Sequence, residues 1–359
     1  MKVLIVFREG DSDNLFVYTL FNGIAQQGID IQCSTEKFWK DDSFYDIIHF
    51  QWPEEVVGWN CSSMTIVDDL KKRIQYLKSR GSKIVYTRHN VCPHYSNKSI
   101  GEAYRIIESE SDVIVHMAEY SYHNFLEKYP DSHNIVIPHH IYENIYKEDL
   151  TVEEARQKLH IGKNRFVITA FGKFRNREES NMVIKSFLKA KIRNKYLLAP
   201  RIFPFHYYKE NPNKTKKIIT WLATKVGIPA FRLLNVHGGS AEEIVTNEDL
   251  PYYISSANII FIQRINILNS GNVPLAFLFK KVVIGPDVGD VGEILRLTGN
   301  PTFDPANKKS IVDAIREGYS LSKSGHGMNN YNYAIEHYNV ERISREYIKC
   351  YSDLINRNE

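Results

Sequence analysis

Cysteine is scarce in this chain of 359 residues, with four at Cys33, Cys61, Cys92 and Cys350 and no paired spacing among them. The scarcity excludes a disulfide framework and fits free thiols in a reducing compartment. Long apolar runs are missing too. Nothing approaches the roughly 20 residues of a membrane span, and MKVLIVF is too short for a signal core before Arg8-Glu9-Gly10-Asp11. The expected location is therefore cytoplasmic, with peripheral contact on the inner membrane face left open. Neither sign of charge dominates: 46 Lys and Arg against 42 acids leave a net +4, too small to argue for a nucleic-acid partner. The loop after the first apolar run, REGDSDN, lacks Gly-x-Gly-x-x-Gly, so the close pyrophosphate seat of a nicotinamide enzyme is absent.

What is present is a regular alternation. Short β-branched runs (KVLIVF, DIIHF, KIVYT, DVIVH, NIVIP) are separated by amphipathic stretches such as VDDLKKRIQYLKSRG. Runs of this length punctuated by Gly or Asp read as buried parallel strands with crossover helices. A second series (RFVITAFG, NKYLLAP, RLLNVHGG, NIIFIQR, VVIGP) follows a polar, Tyr-rich stretch in which Thr151 and Glu154 have the spacing of a capping box. The length also exceeds one usual core. The expected fold class is α/β, two facing doubly wound Rossmann-like domains, 1–148 and 149–338. The terminal helix, 339–359, is expected to return to the first.

In such domains ligands bind beyond the carboxyl ends of the strands, so loop residues there carry the most weight. The segment from Arg264 to Glu293 has the polar turn Asn269-Ser270-Gly271-Asn272 opening an apolar stretch, then a strand. A helix start offers unpaired N–H groups, so Ser270, Gly271 and Asn272 are a candidate phosphate seat; the plain alternative is a structural turn. Two metal readings are weaker. Asp11-Ser12-Asp13 imitates an Asp-x-Asp metal motif but precedes a helix at Leu15 and reads as a cap, while His89, Cys92 and His94 lack a clear fourth ligand for zinc. No metal is expected. Between Lys189 and Arg232 stand eleven basic residues and one acid, Glu210. That stretch (189–232), with KIITWLATKVG inside it, suits either an anionic membrane or a helix laid on the second domain.

Five strings in order, DIIHFQWPEE, YTRHNVCPHY, VIPHH, AFGKFRN and NSGNVPLAFLFKKVVIGPDVGDVGE, resemble the bacterial GT-B glycosyltransferases of polysaccharide and glycolipid assembly, over nearly the whole chain. The resemblance implies transfer of a sugar from a nucleoside diphosphate sugar, the donor, to a saccharide or lipid-linked acceptor held by the first domain, with no cofactor. It implies a donor wall of Gly172, Arg175, Arg177, Arg264, Ser270, Gly271, Asn272 and Glu293. The arginines would neutralise the leaving diphosphate, and Glu293 would accept from a ribose hydroxyl. His89 aligns with the family's histidine beside the donor sugar. Two departures qualify the match: Glu178 stands where many relatives carry lysine, and Leu268 and Ala276 stand where retaining members carry glutamates. Inversion is favoured, with a general base among the loop groups Asp11, Asp13, Glu54, His89 and Glu119, Asp13 first. Glu54, Asn90, His94 and Glu119 are the expected acceptor contacts; His139 and His140, at the interdomain exit, are candidates for the cleft lining, with core or surface roles as equal alternatives. A sugar-nucleotide epimerase and a non-catalytic partner subunit are the competing readings.

Overall fold

The computed structural model describes residues 1–9, 14–91, 93, 97–202, 214–238 and 245–356. The chain divides into two compact units, Met1–Tyr142 with His337–Glu359, and Glu143–Glu336.

In the first unit, β1 (Lys2–Val6), β2 (Asp30–Cys33), β3 (Ile47–Phe50), β4 (Lys83–Thr87), β5 (Val113–His116) and β6 (Asn134–Val136) form one sheet in the order β2-β1-β3-β4-β5-β6. All its pairs are parallel, with Val3 beside Ile47 and Val6 beside Phe50. Apolar residues run continuously in these strands because helices cover both faces. Leu4, Val6, Ile48 and Phe50 enter one core with Leu70 and Ile74 of helix Met64–Ser79 and Ile100 and Ile107 of helix Lys98–Glu110. Their neighbours Val3, Ile5, Ile47 and Val85 enter the other, against Phe16, Leu20 and Ile24 of helix Leu15–Ala25. That second core also takes Ile343, Tyr347, Tyr351 and Leu354 from the last helix, Val340–Asn356, whose spacing makes one stripe. The two helices approach closely at Gly23, where a β-carbon would stand 2.3 Å from Ser344 Oγ. Helix Leu15–Ala25 is capped by Asn14, whose Oδ1 accepts from the Val17 N–H at 3.3 Å. Asp11 and Asp13 lie outside the described residues.

In the second unit, β7 (Phe166–Thr169), β8 (Lys195–Leu198), β9 (Val236–His237), β10 (Ile259–Phe261), β11 (Val282–Pro286) and β12 (Thr302–Phe303) are ordered β12-β11-β10-β7-β8-β9. The expected capping box starts helix Val152–Lys158: Thr151 Oγ1 accepts from the Glu154 N–H at 3.2 Å, and Glu154 Oε2 accepts from the Thr151 N–H at 2.9 Å. One face of the sheet packs Ile168, Leu197, Phe261 and Ile284 against Val183 and Phe187 of helix Arg177–Lys189 and Ile311 and Ile315 of helix Lys308–Lys323. Sheet growth changes direction between β1 and β3 in the first unit and between β7 and β10 in the second, which opens a crevice beyond those strand ends. The basic stretch folds as helix Lys214–Leu222, a π-turn at Ala223–Gly227 and helix Ile228–Leu233. Of the described side chains from 214 to 234, Phe231 packs partly buried against the second unit's core, and the others named as apolar, Ile218, Trp221 and Leu233, are exposed.

Candidate functional site

In the second unit, the crevice between β7 and β10 is floored by Gly172. A β-carbon there would meet the Gln263 amide nitrogen at 2.6 Å and Asn272 Nδ2 at 3.2 Å, so only glycine lets the three loops converge. Gln263 continues β10 and donates to the Lys173 carbonyl at 3.3 Å, tying the β7 and β10 loops together. The next residue, Arg264, is 13% exposed and pairs through Nη1 at 2.9 Å with Glu179 Oε2, itself 4% exposed. The same Glu179 oxygen accepts the Arg175 backbone N–H at 2.7 Å, and Asn176 caps the Glu179 N–H at 2.9 Å. Glu179 is thus the hinge pin of the AFGKFRN loop.

Positive charge here exceeds what Glu179 neutralises. Burial lowers the Arg264 pKa, Glu179 opposes that, and the nearby charges of Arg175 and Arg201 lower it further. Arg201 lies just beyond β8; burial lowers its pKa, and its Nε is buried with no hydrogen-bond partner among the described residues. A buried donor left unpaired costs about 1–3 kcal/mol, and an anionic oxygen is the natural acceptor for it. Arg177, by contrast, begins helix Arg177–Lys189 and lines a crevice shared with Lys185, Lys189 and Lys308.

The turn before β11 differs from its expected form. Helix Asn272–Leu278 has seven residues, and the N–H groups of Asn272 and Val273 already turn back to Ser270 Oγ and Ser270 O, at 3.3 and 3.1 Å. Pro274 has none to give. The turn therefore offers the Asn272 side chain beside Gly172 rather than a row of amides, with Gly271 as the helix cap and Ser270 as its internal acceptor. Glu293 is half-buried on helix Gly289–Leu297. At the start of that helix Gly289 has φ +62°, and a β-carbon there would strike the Ile267 carbonyl at 2.3 Å, so the loop through Leu268 is pressed onto it.

In the first unit, His89 follows β4 and is buried at 6% exposure. Trp52 stacks on its ring at 3.8 Å and Phe16 meets it edge-on at 4.9 Å. His89 Nε2 lies 2.8 Å from Gln51 Oε1, and the Gln51 amide nitrogen lies 3.1 Å from His49 Nε2. Phe16 also stacks on His140, which with His139 is buried; burial pushes His139 down to about 3 and lowers His140. Both are core residues. Glu54, in the short helix Pro53–Val57, is fully buried and accepts from the Tyr104 hydroxyl at 2.9 Å. Burial and then Glu54 push that phenol well up, with Asn90 opposing, so Glu54 and Asn90 share one tyrosine. Glu119 stands apart, exposed at the start of helix Glu119–Lys128, 3.7 Å from His123. Asp13 and His94 lie outside the described residues.

No family model matches the chain, and no curated protein matches it in sequence. Solved structures do match in fold. Sucrose-phosphate synthase from Thermosynechococcus elongatus aligns over 99% of this chain and 99% of its own, with a TM-score of 0.69 and 13% identity. HepE from Anabaena, solved in complex with UDP, aligns over 98% and 100%, with a TM-score of 0.67 and 13% identity. The chain has the GT-B fold. WaaG, a glycosyltransferase involved in lipopolysaccharide biosynthesis, shares that fold over 97% and 98% of the two chains, at a TM-score of 0.61 and 12% identity.

Within the GT-B fold, Gln51 and Arg201 lie on strand-end loops that the sequence marks for weight without being named as site residues, while Glu179 and Gln263 lie outside those loops. Each except Glu179 lies one to three residues beyond a strand, so the signal was position rather than motif. Glu179 carries no such mark, because a glutamate three residues into a helix reads as an ordinary favourable first-turn charge.

Proposed function

We propose that the chain is a glycosyltransferase that moves a sugar from a nucleoside diphosphate sugar to a saccharide or glycolipid acceptor of surface polysaccharide assembly. The observation that carries the proposal is the concentration of positive charge at the β7/β10 switch point: Arg264 pairs with the buried Glu179, Arg175 holds the same carboxylate through its backbone N–H, and the charges of Arg175 and Arg201 bear on Arg264. HepE was also solved with UDP-glucose and with UDP and glucose, which supports the same class of donor here. The three guanidiniums would hold the diphosphate and stabilise the charge that grows on it as the sugar leaves, a metal-independent arrangement. Asn272 would reach a phosphate or sugar oxygen past Gly172, and Glu293 would accept from the ribose.

Leu268 and Ala276 are apolar and buried, at 5% and 0% exposure, so neither position supplies a carboxylate and inversion is the favoured outcome. His89 would contact the reacting sugars, and Asp13 is the first choice of base, with Glu119 the exposed alternative. A lipid-linked acceptor suits the segment 214–234, which carries Lys214, Lys216, Lys217, Lys225 and Arg232, no acid, and Ile218, Trp221 and Leu233 at 59%, 57% and 85% exposure. Basic residues beside exposed apolar ones suit an anionic bilayer.

Calorimetric titration with a panel of nucleoside diphosphates and their sugars is the test. Saturable binding of one of them, followed by turnover with a saccharide acceptor, is expected. No binding to any of them removes the enzyme reading, and binding without turnover favours a non-catalytic subunit.

A further inference from the structure

The crevice that Arg177 opens lies between two helices of the second unit, Arg177–Lys189 and Lys308–Lys323, and holds about 370 Å³. Its walls carry four cations, Arg177, Lys185 and Lys189 on one helix and Lys308 on the other, against one acid, Glu178. All four are exposed, and none makes an ion pair among the described residues. The floor between them is aliphatic and closed, with Met182 and Ile311 at 8% and 1% exposure. The helix period produces the arrangement. Positions 177, 181, 185 and 189 fall one turn apart on one face, so this wall is a stripe of Arg, Asn, Lys and Lys about 18 Å long with a cation at each end.

Other exposed helical stretches of the chain supply acids to their cations. Lys40 pairs with Glu36, Lys72 with Asp69, Arg316 with Asp313 and Arg342 with Glu346, each within one turn. Such pairs stabilise a helix, and like charges at the same spacing destabilise it. Lys185 and Lys189 are a like pair at that spacing. Lys308 and Lys309 open their helix, the end at which the dipole disfavours positive charge, and no acid stands in its first turn. The carboxylate that precedes it, Asp304, is turned to the Ala306 N–H at 2.9 Å. Both unfavourable placements meet at one crevice, and a bound anion relieves both.

The spacing selects the kind of anion. A single phosphate or carboxylate reaches one turn of the stripe, whereas cations spread over three turns suit a linear polyanion with charge along its length. Among the described residues no aromatic ring lines the crevice, so the stacking that single-stranded nucleic acid uses is absent. Its apolar floor is nearly closed off, which leaves no groove for the apolar face of an acidic helix. Asn181 adds an amide that can both donate to and accept from hydroxyls. We propose that this crevice binds an anionic saccharide chain, whose acidic groups pair along Arg177, Lys185, Lys189 and Lys308. The saccharide identity rests on the proposed function in surface polysaccharide assembly; the need for a polyanion does not.

Calorimetric titration of oligogalacturonate chains of two and eight sugars into the full chain tests this, with maltooctaose, octaglutamate and an eight-nucleotide single-stranded DNA as comparators. The charged octasaccharide should bind at least about 10-fold more tightly than the charged disaccharide and weaken as salt rises, and the neutral chain should not bind. Lys185→Glu with Lys308→Glu should weaken the octasaccharide about 10-fold or more, whereas Lys40→Glu with Lys72→Glu, an equal change of net charge in the first unit, should stay within about threefold. Lys185→Glu alone puts an acid four residues before Lys189, so its melting midpoint should hold or rise; a fall would contradict the cost assigned to the like pair. UDP affinity should be unchanged in the crevice variant. The proposal is overturned by an octasaccharide that does not bind, by equal losses in the two double variants, or by a crevice variant that loses UDP as well, which would make the crevice part of the donor site. Tighter binding of octaglutamate or of the oligonucleotide overturns it too, and assigns the crevice to a protein or a nucleic acid. A wild type that binds the octasaccharide and no sugar nucleotide would remove the glycosyltransferase reading while upholding the crevice.

Discussion

The two units repeat one plan, a six-stranded parallel sheet clothed by helices, yet they bury different polar chemistry. The first buries imidazoles: His49, His89, His116, His139 and His140 are all below 10% exposure. The second encloses basic side chains, in half-buried Arg264 against Glu179, Arg156 against the Ser256 and Lys163 carbonyls, and Lys281 against the Ser255 and Ala257 carbonyls. Imidazoles set direction, because a hydrogen-bond partner selects which nitrogen bears the proton. Guanidiniums set charge, because they stay protonated and present several donors to one anion. Under the proposed function, the first unit would orient sugars and the second would hold phosphates.

Acid should separate the units most. Burial pushes His49 and His139 down to about 3 and His116 to about 4, and lowers His140. Below the ordinary histidine value of about 6.5 the unfolded chain takes up protons that the folded first unit refuses, so stability is present above that pH and is lost as pH falls. Each such group removes up to ~1.4 kcal/mol per pH unit. Urea melts between pH 7 and 5 should show a steep loss of the first unit's stability, and His49→Phe should flatten it; melts independent of pH would contradict the contrast.

The second unit should respond in the opposite range. Burial lowers the Lys281 pKa to about 7 from its ordinary 10.5. Between those values the unfolded chain binds a proton that the folded one does not, so stability should rise as pH climbs from about 7 toward 10, by up to ~1.4 kcal/mol per pH unit. In Lys281→Met the urea midpoint should lose that rise, and parallel curves for the two proteins would argue that Lys281 stays charged. Smaller again is the surface effect. Lys217→Glu with Trp221→Ser should weaken sedimentation with phosphatidylglycerol vesicles about 30-fold or more, at roughly 1 kcal/mol for each of the two charges changed, and by much less with neutral vesicles. Equal binding by both proteins would return that segment to water.

The sequence carried the strands and their two-sided burial because continuous apolar runs are a local signal, and the Thr151–Glu154 box is legible because both partners sit within one turn. The sites were legible only as positions. His49 meets Tyr351 across 302 residues, a pairing no spacing rule contains. Arg177 and Arg201 look alike as loop cations; folding half-buries Arg201 near Arg264 and leaves Arg177 at the mouth of a helix crevice. Of the helix-start amides, those of Asn272 and Val273 turn back to Ser270, which local spacing does not announce. Glu54 reads as a loop acid, and its burial depends on Tyr104, 50 residues away.

The central claim is that the switch-point arginines of the second unit hold a nucleoside diphosphate. Calorimetric titration of UDP, or whichever diphosphate binds best, into the wild type, Arg201→Met and Arg177→Met tests it most directly. Arg201→Met should bind about 10- to 100-fold more weakly, as for a lost charge-assisted contact, with Arg177→Met close to wild type. Unchanged affinity in a folded Arg201→Met, or an equal loss in Arg177→Met, would contradict the account.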